Sequence, residues 1–310
     1  MGLLDDVLAG DPRGVARAIS MVEDGAPELR ELSAGLYAHT GRAYTIGLTG
    51  SPGVGKSTIA NELVAVARAA DRSIAVLAID PTSPLSGGAL LGDRLRMQKH
   101  ATDPGVFIRS MATRGHLGGM ALAAPEAIRI LDASGRDLVI VETVGVGQAE
   151  VEVAAATDTT LVVVSPGWGD AVQVAKAGIL EIADVFVVNK ADREGAEAAA
   201  RDLRQMLRMG PEPDWSPPVV LTAATSGEGT GELWEAVQAH RSHLESTGAL
   251  ERGRRDRLLR EVETLALETV RERVRRVLSE DGALIEDLSS RRTDPYRAAA
   301  ILEERIENGS

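Results

Sequence analysis

The residues with the clearest chemical meaning form a G-x-x-x-x-G-K-S motif between an apolar run and a helix-forming stretch. A chain of phosphates has to be wrapped by backbone N–H groups, and side chains in place of the glycines would hinder that wrapping. The lysine can reach the β- and γ-phosphates, and the positive end of the following helix favours the same anion. The sequence therefore predicts a nucleotide-binding loop that consists of Gly50, Ser51, Pro52, Gly53, Val54, Gly55, Lys56, Ser57 and Thr58.

Oxygen ligands at the ends of other apolar runs indicate a magnesium site beside this loop. The Ser57 hydroxyl is the metal ligand that the motif itself supplies. Asp80 ends the second run and can reach the metal shell, or it is a turn residue before a proline. Asp93 lies in the glycine-rich segment 83–96 and is either a second acidic ligand or a solvated helix-start residue. Glu142 ends the fourth run and Gly145 follows three positions later, a pattern typical of a carboxylate at the metal beside an N–H that senses the γ-phosphate.

Two arginines follow the third apolar run, Arg109 and Arg114. Either can stabilise charge on transferring phosphoryl oxygens, and an ordinary surface salt bridge is the alternative for both. The predicted catalytic residues are accordingly Lys56, Glu142, Gly145 and Arg114. Gln148 is the nearest side chain that could orient a water, and its position is not convincing, so we expect slow hydrolysis unless a partner completes the site.

The sixth apolar run ends in N-K-A-D, which indicates the base that is bound. The Asp192 carboxylate can accept hydrogen bonds from both N1–H and N2–H₂ of guanine, a donor pair that adenine lacks. Asn189 is expected to tie this segment to the phosphate loop, and the stem of Lys190 can lie over the purine. At the end of the last run, Thr222, Ala223 and Ala224 are expected to offer a backbone N–H to guanine O6. The sequence thus predicts GTP and GDP as ligands, with Mg²⁺.

Composition limits the compartment and the partners. The 310 residues are 44% hydrophobic and only 3% aromatic, and they include no cysteine, which excludes disulfides and thiolate metal sites. The net charge of −12 argues against nucleic acid as a partner. No run reaches the roughly 20 apolar residues of a membrane span, and no secretory signal is recognisable. We therefore expect a cytoplasmic protein.

The elements that must position these residues alternate along the chain. Short runs rich in Val, Ile and Leu are typical of strands buried on both faces, and helical stretches separate most of them. This pattern predicts an α/β P-loop NTPase fold with a mainly parallel sheet flanked by helices. The predicted strands are 45–49, 73–79, 106–110, 138–141, 160–164, 185–188 and 219–222. We expect three parts: an N-terminal helical extension (1–42), a GTPase domain (43–246) and a C-terminal helical dimerisation region (247–310).

The expectation of dimerisation rests on residues 254–280. Their pattern predicts a single charged helix about 40 Å long, with its apolar residues near one face. Such a helix either folds back on its own domain or crosses to another subunit, and we favour the second reading.

Several longer stretches resemble the methylmalonyl-CoA mutase-associated GTPases, the MeaB family, within the SIMIBI class of P-loop GTPases. They are G-S-P-G-V-G-K-S-T, A-I-D-P-T-S-P-L-S-G-G-A-L-L-G-D-R-L-R-M, I-R-S-M-A-T-R-G-H-L-G-G, E-T-V-G-V-G-Q, P-G-W-G-D-A-V-Q-V-A-K-A-G-I, N-K-A-D and D-P-Y-R-A-A. The resemblance covers nearly the whole chain. Some relatives carry the older names ArgK or LAO/AO transport ATPase.

This resemblance implies a homodimeric GTPase that associates with an adenosylcobalamin-dependent acyl-CoA mutase, gates cofactor loading and protects the enzyme. It places Ser57, Asp80, Asp93 and Glu142 around Mg²⁺. It also makes residues 167–178 a switch that responds to nucleotide and contacts the partner, with Asp170, Gln173 and Lys176 as its candidate residues.

Two other functions compete with this one. A nickel-delivery GTPase of the same broad class would need Cys or His ligands, whereas the chain has no cysteine and five scattered histidines. A small-molecule or protein kinase, as the older transport naming implies, would use ATP, and N-K-A-D argues for GTP instead.

Overall fold

Apolar runs form seven strands in the part of the chain that the structure describes. The structure is a computed structural model and describes residues 2–81, 100, 102–113, 120–143, 149–166, 179–209 and 214–307. The strands are Tyr44–Thr49 (β1), Ile74–Pro81 (β2), Val106–Thr113 (β3), Leu138–Thr143 (β4), Thr159–Val164 (β5), Val185–Asn189 (β6) and Val219–Thr222 (β7).

The seven strands make one parallel sheet in the order β3-β2-β4-β1-β5-β6-β7. Because they are parallel, their carboxyl ends all lie at one edge. The chain leaves β1 towards β2 on one side and later returns to β5 on its other side, so β1 lies at the point where the connection reverses. Ligands of such sheets bind at this point, outside the carboxyl ends of the strands. The predicted parallel P-loop fold is confirmed.

Helices pack on both faces of the sheet. The helices described are Leu3–Leu8 (α1), Pro12–Asp24 (α2), Leu29–Tyr37 (α3), Lys56–Ala69 (α4), Met120–Ala133 (α5), Ala149–Ala156 (α6), Ile179–Ile182 (α7), Ala196–Leu207 (α8), Thr230–Ser246 (α9), Ala249–Glu280 (α10), Gly282–Ser289 (α11) and Pro295–Glu307 (α12). Side chains of α4 and α9 share one buried cluster with β1 and β4, and those of α2, α3 and α5 share another with the opposite sheet face. A third cluster joins α8 to β5 and β6.

A side chain caps the second N-terminal helix. The Asp11 carboxylate accepts a hydrogen bond from the Gly14 N–H at 2.7 Å, and Pro12 is the first residue of α2. The helices α1, α2 and α3 lie within the segment 1–42 that was expected to be helical. The short α1 was not predicted individually from the sequence.

The chain divides into two compact units, of which the first ends at Arg257 and the second begins at Leu258. In the second unit, the end of α10 packs with α11 and α12 around Val277, Leu284, Ala298 and Leu302. Asp294 caps α12 by accepting from the N–H groups of Tyr296 and Arg297. The three-part division made from the sequence remains a prediction. No helix in the described ranges is both long enough and apolar enough to cross a bilayer.

Candidate functional site

The loop between β1 and α4 has the conformation that its glycines were expected to allow. Gly50 has a φ of +133°, and a Cβ there would lie 2.1 Å from the Val163 carbonyl oxygen. Gly55 has a φ of +102°, and its Cβ would lie 2.3 Å from Asn189 Nδ2. Any side chain at either position would therefore clash and would strain the backbone. The loop leads directly into the N-terminus of α4, the positive end of that helix.

Lys56 is held over this loop. Its side chain is buried, and Nζ donates to the carbonyl oxygens of Gly50 at 2.6 Å and Ser51 at 3.1 Å. A cation in this position can neutralise phosphate charge at the start of α4.

Ser57 and Glu142 come together from two neighbouring elements. Ser57 Oγ donates to Glu142 Oε1 at 2.6 Å, and both residues are buried. Glu142 lies at the end of β4, and β2 is paired with β4 so that Ala78 stands beside Glu142. Asp80 follows two residues later at the same edge of the sheet. A hydroxyl and a carboxylate in contact form a hard oxygen donor set that fits Mg²⁺.

Asn189 joins the two loops that follow β1 and β7. Its Nδ2 donates to the Val54 carbonyl at 2.8 Å, and its Oδ1 accepts from Thr222 Oγ1 at 3.1 Å and the Ala224 N–H at 3.2 Å. The structure therefore places this side chain where the sequence predicted a tie to the phosphate loop. The Ala223 N–H donates to the carbonyl of Glu228, so it stabilises its own loop.

Lys190 adds a second tie between the same loops. It has a φ of +61°, uncommon for a residue other than glycine, and its Nζ donates to the Gly53 carbonyl at 2.6 Å. Asp192 follows in an exposed turn, where its carboxylate is accessible to a ligand.

Arg109 forms a salt bridge, which was the alternative to a role at the phosphoryl oxygens in the sequence analysis. Its guanidinium contacts Glu23 of α2 at 2.8 Å and Ser20 at 2.7 Å. It therefore forms an ion pair with the N-terminal helices. Six other predicted residues lie outside the described residues: Asp93, Arg114, Gly145, Asp170, Gln173 and Lys176. The side chain of Asp80 also lies outside them.

Two threonines at this edge of the sheet were not singled out from the sequence. Thr49 ends β1 and Thr143 ends β4, and both are fully buried. Threonine is common in strands, so residue type alone gives no signal. Their hydroxyl groups become informative only once burial and hydrogen bonding are known.

The fold is that of a P-loop NTPase, and Asn189 of the N-K-A-D stretch joins the loop after β1 to the loop after β7. The family model described as methylmalonyl Co-A mutase-associated GTPase MeaB matches residues 15–279. The chain therefore belongs to this GTPase family.

Individual relatives match over most of the chain. It is 47% identical over 308 residues to a protein of Pyrococcus horikoshii that is named as a GTPase, with 98% of this chain and 97% of that one covered. It is 36% identical over 255 residues to the GTPase ArgK of Escherichia coli, with 79% and 77% covered. It is 33% identical over 276 residues to the mitochondrial methylmalonic aciduria type A homolog of Caenorhabditis briggsae, with 83% and 67% covered.

Among solved structures, the crystal structure of an LAO/AO transport system kinase matches with a TM-score of 0.73. Sequence identity is 24%, and the match covers 98% of this chain and 96% of that one. At this identity the likeness shows the fold.

Proposed function

We propose that this protein binds and hydrolyses GTP with Mg²⁺, and acts as a chaperone of an adenosylcobalamin-dependent acyl-CoA mutase. The observation that carries the nucleotide part is the set of hydrogen bonds by which Asn189 joins the phosphate loop to the Thr222–Ala224 segment. This arrangement supports a guanine site at Asp192, one turn away. Membership of a GTPase family supports the same ligand.

Each part of the site has a separate task in this proposal. Lys56 and the N-terminus of α4 bind the β- and γ-phosphates, and Asp192 selects guanine. Ser57 and Glu142 would hold Mg²⁺ with Asp80 and Asp93, and the bound metal neutralises charge on the phosphate oxygens. Gly145 and Arg114 keep their predicted roles at the γ-phosphate.

The mutase part rests on names rather than on geometry. The family description contains methylmalonyl Co-A mutase, and one relative is named for methylmalonic aciduria. We propose that Asp170, Gln173 and Lys176 contact the mutase and that the protein acts as a homodimer in the cytoplasm. GTP binding and hydrolysis would then gate loading of intact cofactor.

Base selection can be tested by changing Asp192 to Asn. Xanthine carries a carbonyl where guanine carries its 2-amino group, so an amide at position 192 suits xanthine and removes an acceptor for guanine. We expect GTP affinity to fall by about 100-fold, the equivalent of one hydrogen bond to a charged group, while XTP affinity rises. The matched control is Asp202→Asn, an exposed aspartate on α8. Equal loss of GTP binding in both variants, or no loss in either, would overturn the assignment of Asp192.

The client can be tested by measuring GTP turnover with and without a purified cobalamin-dependent mutase, with ATP as the control nucleotide. We expect slow turnover alone and GTP-selective stimulation by the mutase. Fast turnover without a partner would contradict the idea that the mutase completes the site. If the protein binds GTP but no such mutase stimulates its turnover, the proposed GTPase activity stands and the proposed mutase client is wrong.

A further inference from the structure

The hydroxyl groups of Thr49 and Thr143 are buried at the edge of the sheet that carries the candidate nucleotide site. Thr49 is 0% exposed and Thr143 is 1% exposed. In the part of the chain that the structure describes, neither Oγ1 atom has a hydrogen-bond partner. Burying a hydroxyl without a partner costs roughly 1–3 kcal/mol, and native structures rarely leave such groups unpaired. Two of them at one place therefore require a reason.

Strand register places the two threonines side by side. Leu48 of β1 stands beside Glu142 of β4, so the next residue of each strand, Thr49 and Thr143, occupies the following register position. Successive side chains of a strand point to opposite faces. Leu48 lies in the cluster with α4, so Thr49 and Thr143 point to the other face.

Helix α6 covers that other face. Gly47, which lies on the same side of β1 as Thr49, would place a Cβ 2.8 Å from Val153 and 2.5 Å from Thr157 Oγ1. The first residue of α6, Ala149, follows four positions after Gly145, the glycine expected to sense the γ-phosphate. The threonines thus lie between the phosphate loop, Glu142 and the helix that follows the predicted sensor.

Helix α6 packs on the sheet at this position. It has eight residues, of which Val153 is fully buried in the cluster on this face and Val151 is 50% exposed. The phosphate loop and the start of α6 are therefore the neighbours from which both hydroxyls would gain partners when a nucleotide binds.

We propose that Thr49 and Thr143 are positioning residues whose hydroxyl groups gain hydrogen-bond partners only when GTP is bound. This inference rests on the proposed GTP function and extends it to two residues that have no assigned role in the predicted site. A ligand shifts a conformational equilibrium only through interactions that differ between the states. Two hydroxyls that are unpaired in one state and paired in the other provide such a difference.

The test replaces each hydroxyl by a methyl group of similar shape, in Thr49→Val, Thr143→Val and the double variant. Without nucleotide, the variants should unfold in urea at the same or a higher midpoint, because an unpaired buried hydroxyl has been removed. With Mg²⁺ and a slowly hydrolysed GTP analogue, each substitution should weaken affinity about 3- to 10-fold, the value of one hydrogen bond. The affinity for GDP should change less than about 2-fold. Thr49→Ser and Thr143→Ser keep the hydroxyl and should keep analogue affinity.

The matched control is Thr159→Val. Thr159 is as buried, lies on the same sheet and already has partners, Tyr44 Oη at 2.5 Å and His240 Nδ1 at 2.8 Å. This variant should lose stability without nucleotide and keep its preference between analogue and GDP. Lower stability of the nucleotide-free Thr49 and Thr143 variants, or equal losses for analogue and GDP, would overturn the inference. A protein that binds no guanine nucleotide would overturn the proposed function instead.

Discussion

The half-buried Asp184 and the buried His240 form a pair at the edge of the sheet opposite the candidate nucleotide site. Asp184 Oδ1 lies 3.4 Å from His240 Nε2, and its Oδ2 accepts from the Thr160 N–H at 2.7 Å. Trp215 contacts the rings of both His240 and His243, with ring centroids 4.9 Å and 5.3 Å apart. Burial raises the pKa of Asp184 to about 6 and lowers the pKa of His240 to about 4. The charge of His243 lowers the pKa of His240 further.

These two pKa shifts oppose each other between pH 7 and pH 5. The raised pKa of Asp184 makes the folded protein take up a proton first, so its contribution to stability grows as the pH falls and is lost as the pH rises through about 6. The lowered pKa of His240 makes the unfolded chain take up a proton first, so its contribution is lost as the pH falls. Asp184→Asn removes only the first contribution. We expect this variant to lose about 1 kcal/mol more stability than the parent between pH 7 and pH 5.

The measurement is urea unfolding at both pH values. Asp202→Asn serves as the control, because this exposed carboxylate lies outside the pair. If the free energy of unfolding of the parent and of Asp184→Asn changes equally between the two pH values, the pKa of Asp184 is not raised as described.

At the scale of single residues, the sequence predicted the contacts of residues that belong to motifs with fixed spacing. Ser57, Glu142 and Asn189 make contacts that follow from their motifs, because loop geometry there is dictated by a phosphate chain and a base. The ion pair of Arg109 with Glu23 and the burial of Thr49 depend on packing between elements far apart in sequence, which spacing does not report.

At the scale of elements, a buried carboxylate helps to hold the start of α10 against the strands of the first unit. Asp158, 1% exposed in its side chain, pairs with Arg254 at 2.8 Å and with Arg257. It also accepts from the Thr45 N–H at 3.0 Å. Burial would raise the pKa of Asp158, but the hydrogen bond from Arg254 and the charges of both arginines outweigh it and hold the pKa below its usual range.

Removing this carboxylate should therefore be costly. Asp158→Ala leaves two half-buried guanidinium groups without a negative charge, with only the carbonyl oxygens of Gly41, Ala43 and Thr157 as acceptors. We expect a loss of about 3–5 kcal/mol in the free energy of unfolding. The matched control is Asp287→Ala, which breaks an exposed pair with Arg292 and should change stability by about 0.5 kcal/mol or less. Denaturant unfolding of both variants decides the matter. Similar small losses would mean that the Asp158 pair adds nothing beyond a surface contact.

The sequence predicted the strands closely and some helices less well. Apolar runs between turn signals locate a buried strand to within a few residues, as the match of β1 to β7 shows. The six residues of α1 are too few for a periodic pattern, and packing against α2 and α3 holds them instead. Helix α10 begins at Ala249 rather than 254, because Gly253 weakens helix propensity without ending a helix that is anchored at Arg254 and Arg257.

At the scale of the whole molecule, α10 leaves several large apolar side chains exposed to solvent. Six side chains between 39% and 64% exposed lie along it: Leu258, Leu259, Val262, Leu265, Leu267 and Val270. Their spacing puts Leu258, Val262 and Leu265 on one face and Leu259 and Val270 beside it. Helical spacing puts Leu267 on the side of the helix opposite Leu258. A contiguous exposed apolar face marks an interaction surface, which supports the proposed homodimer.

Charges on this face should prevent the dimer. We expect Val262→Glu with Leu265→Glu to sediment as a monomer at micromolar concentration, whereas the parent sediments as a dimer. Arg255→Glu is the control, because its exposed side chain makes only a 3.8 Å contact with Asp256. A monomeric parent, or a dimer that survives both substitutions on the apolar face, would contradict a dimer through α10.

The position of β1 in the middle of the sheet has a consequence for synthesis on the ribosome. Thr45 of β1 and Asp158, which precedes β5, bond to each other although 113 residues separate them. At about 5–20 residues per second, roughly 6–23 s pass between the emergence of the first and the second. The emerging phosphate loop therefore lacks both neighbouring strands, β4 and β5, for most of that interval, and Asn189 and Thr222 follow later still. We infer that nucleotide cannot assist the early stages of folding and can stabilise the chain only after most of the first unit has left the ribosome.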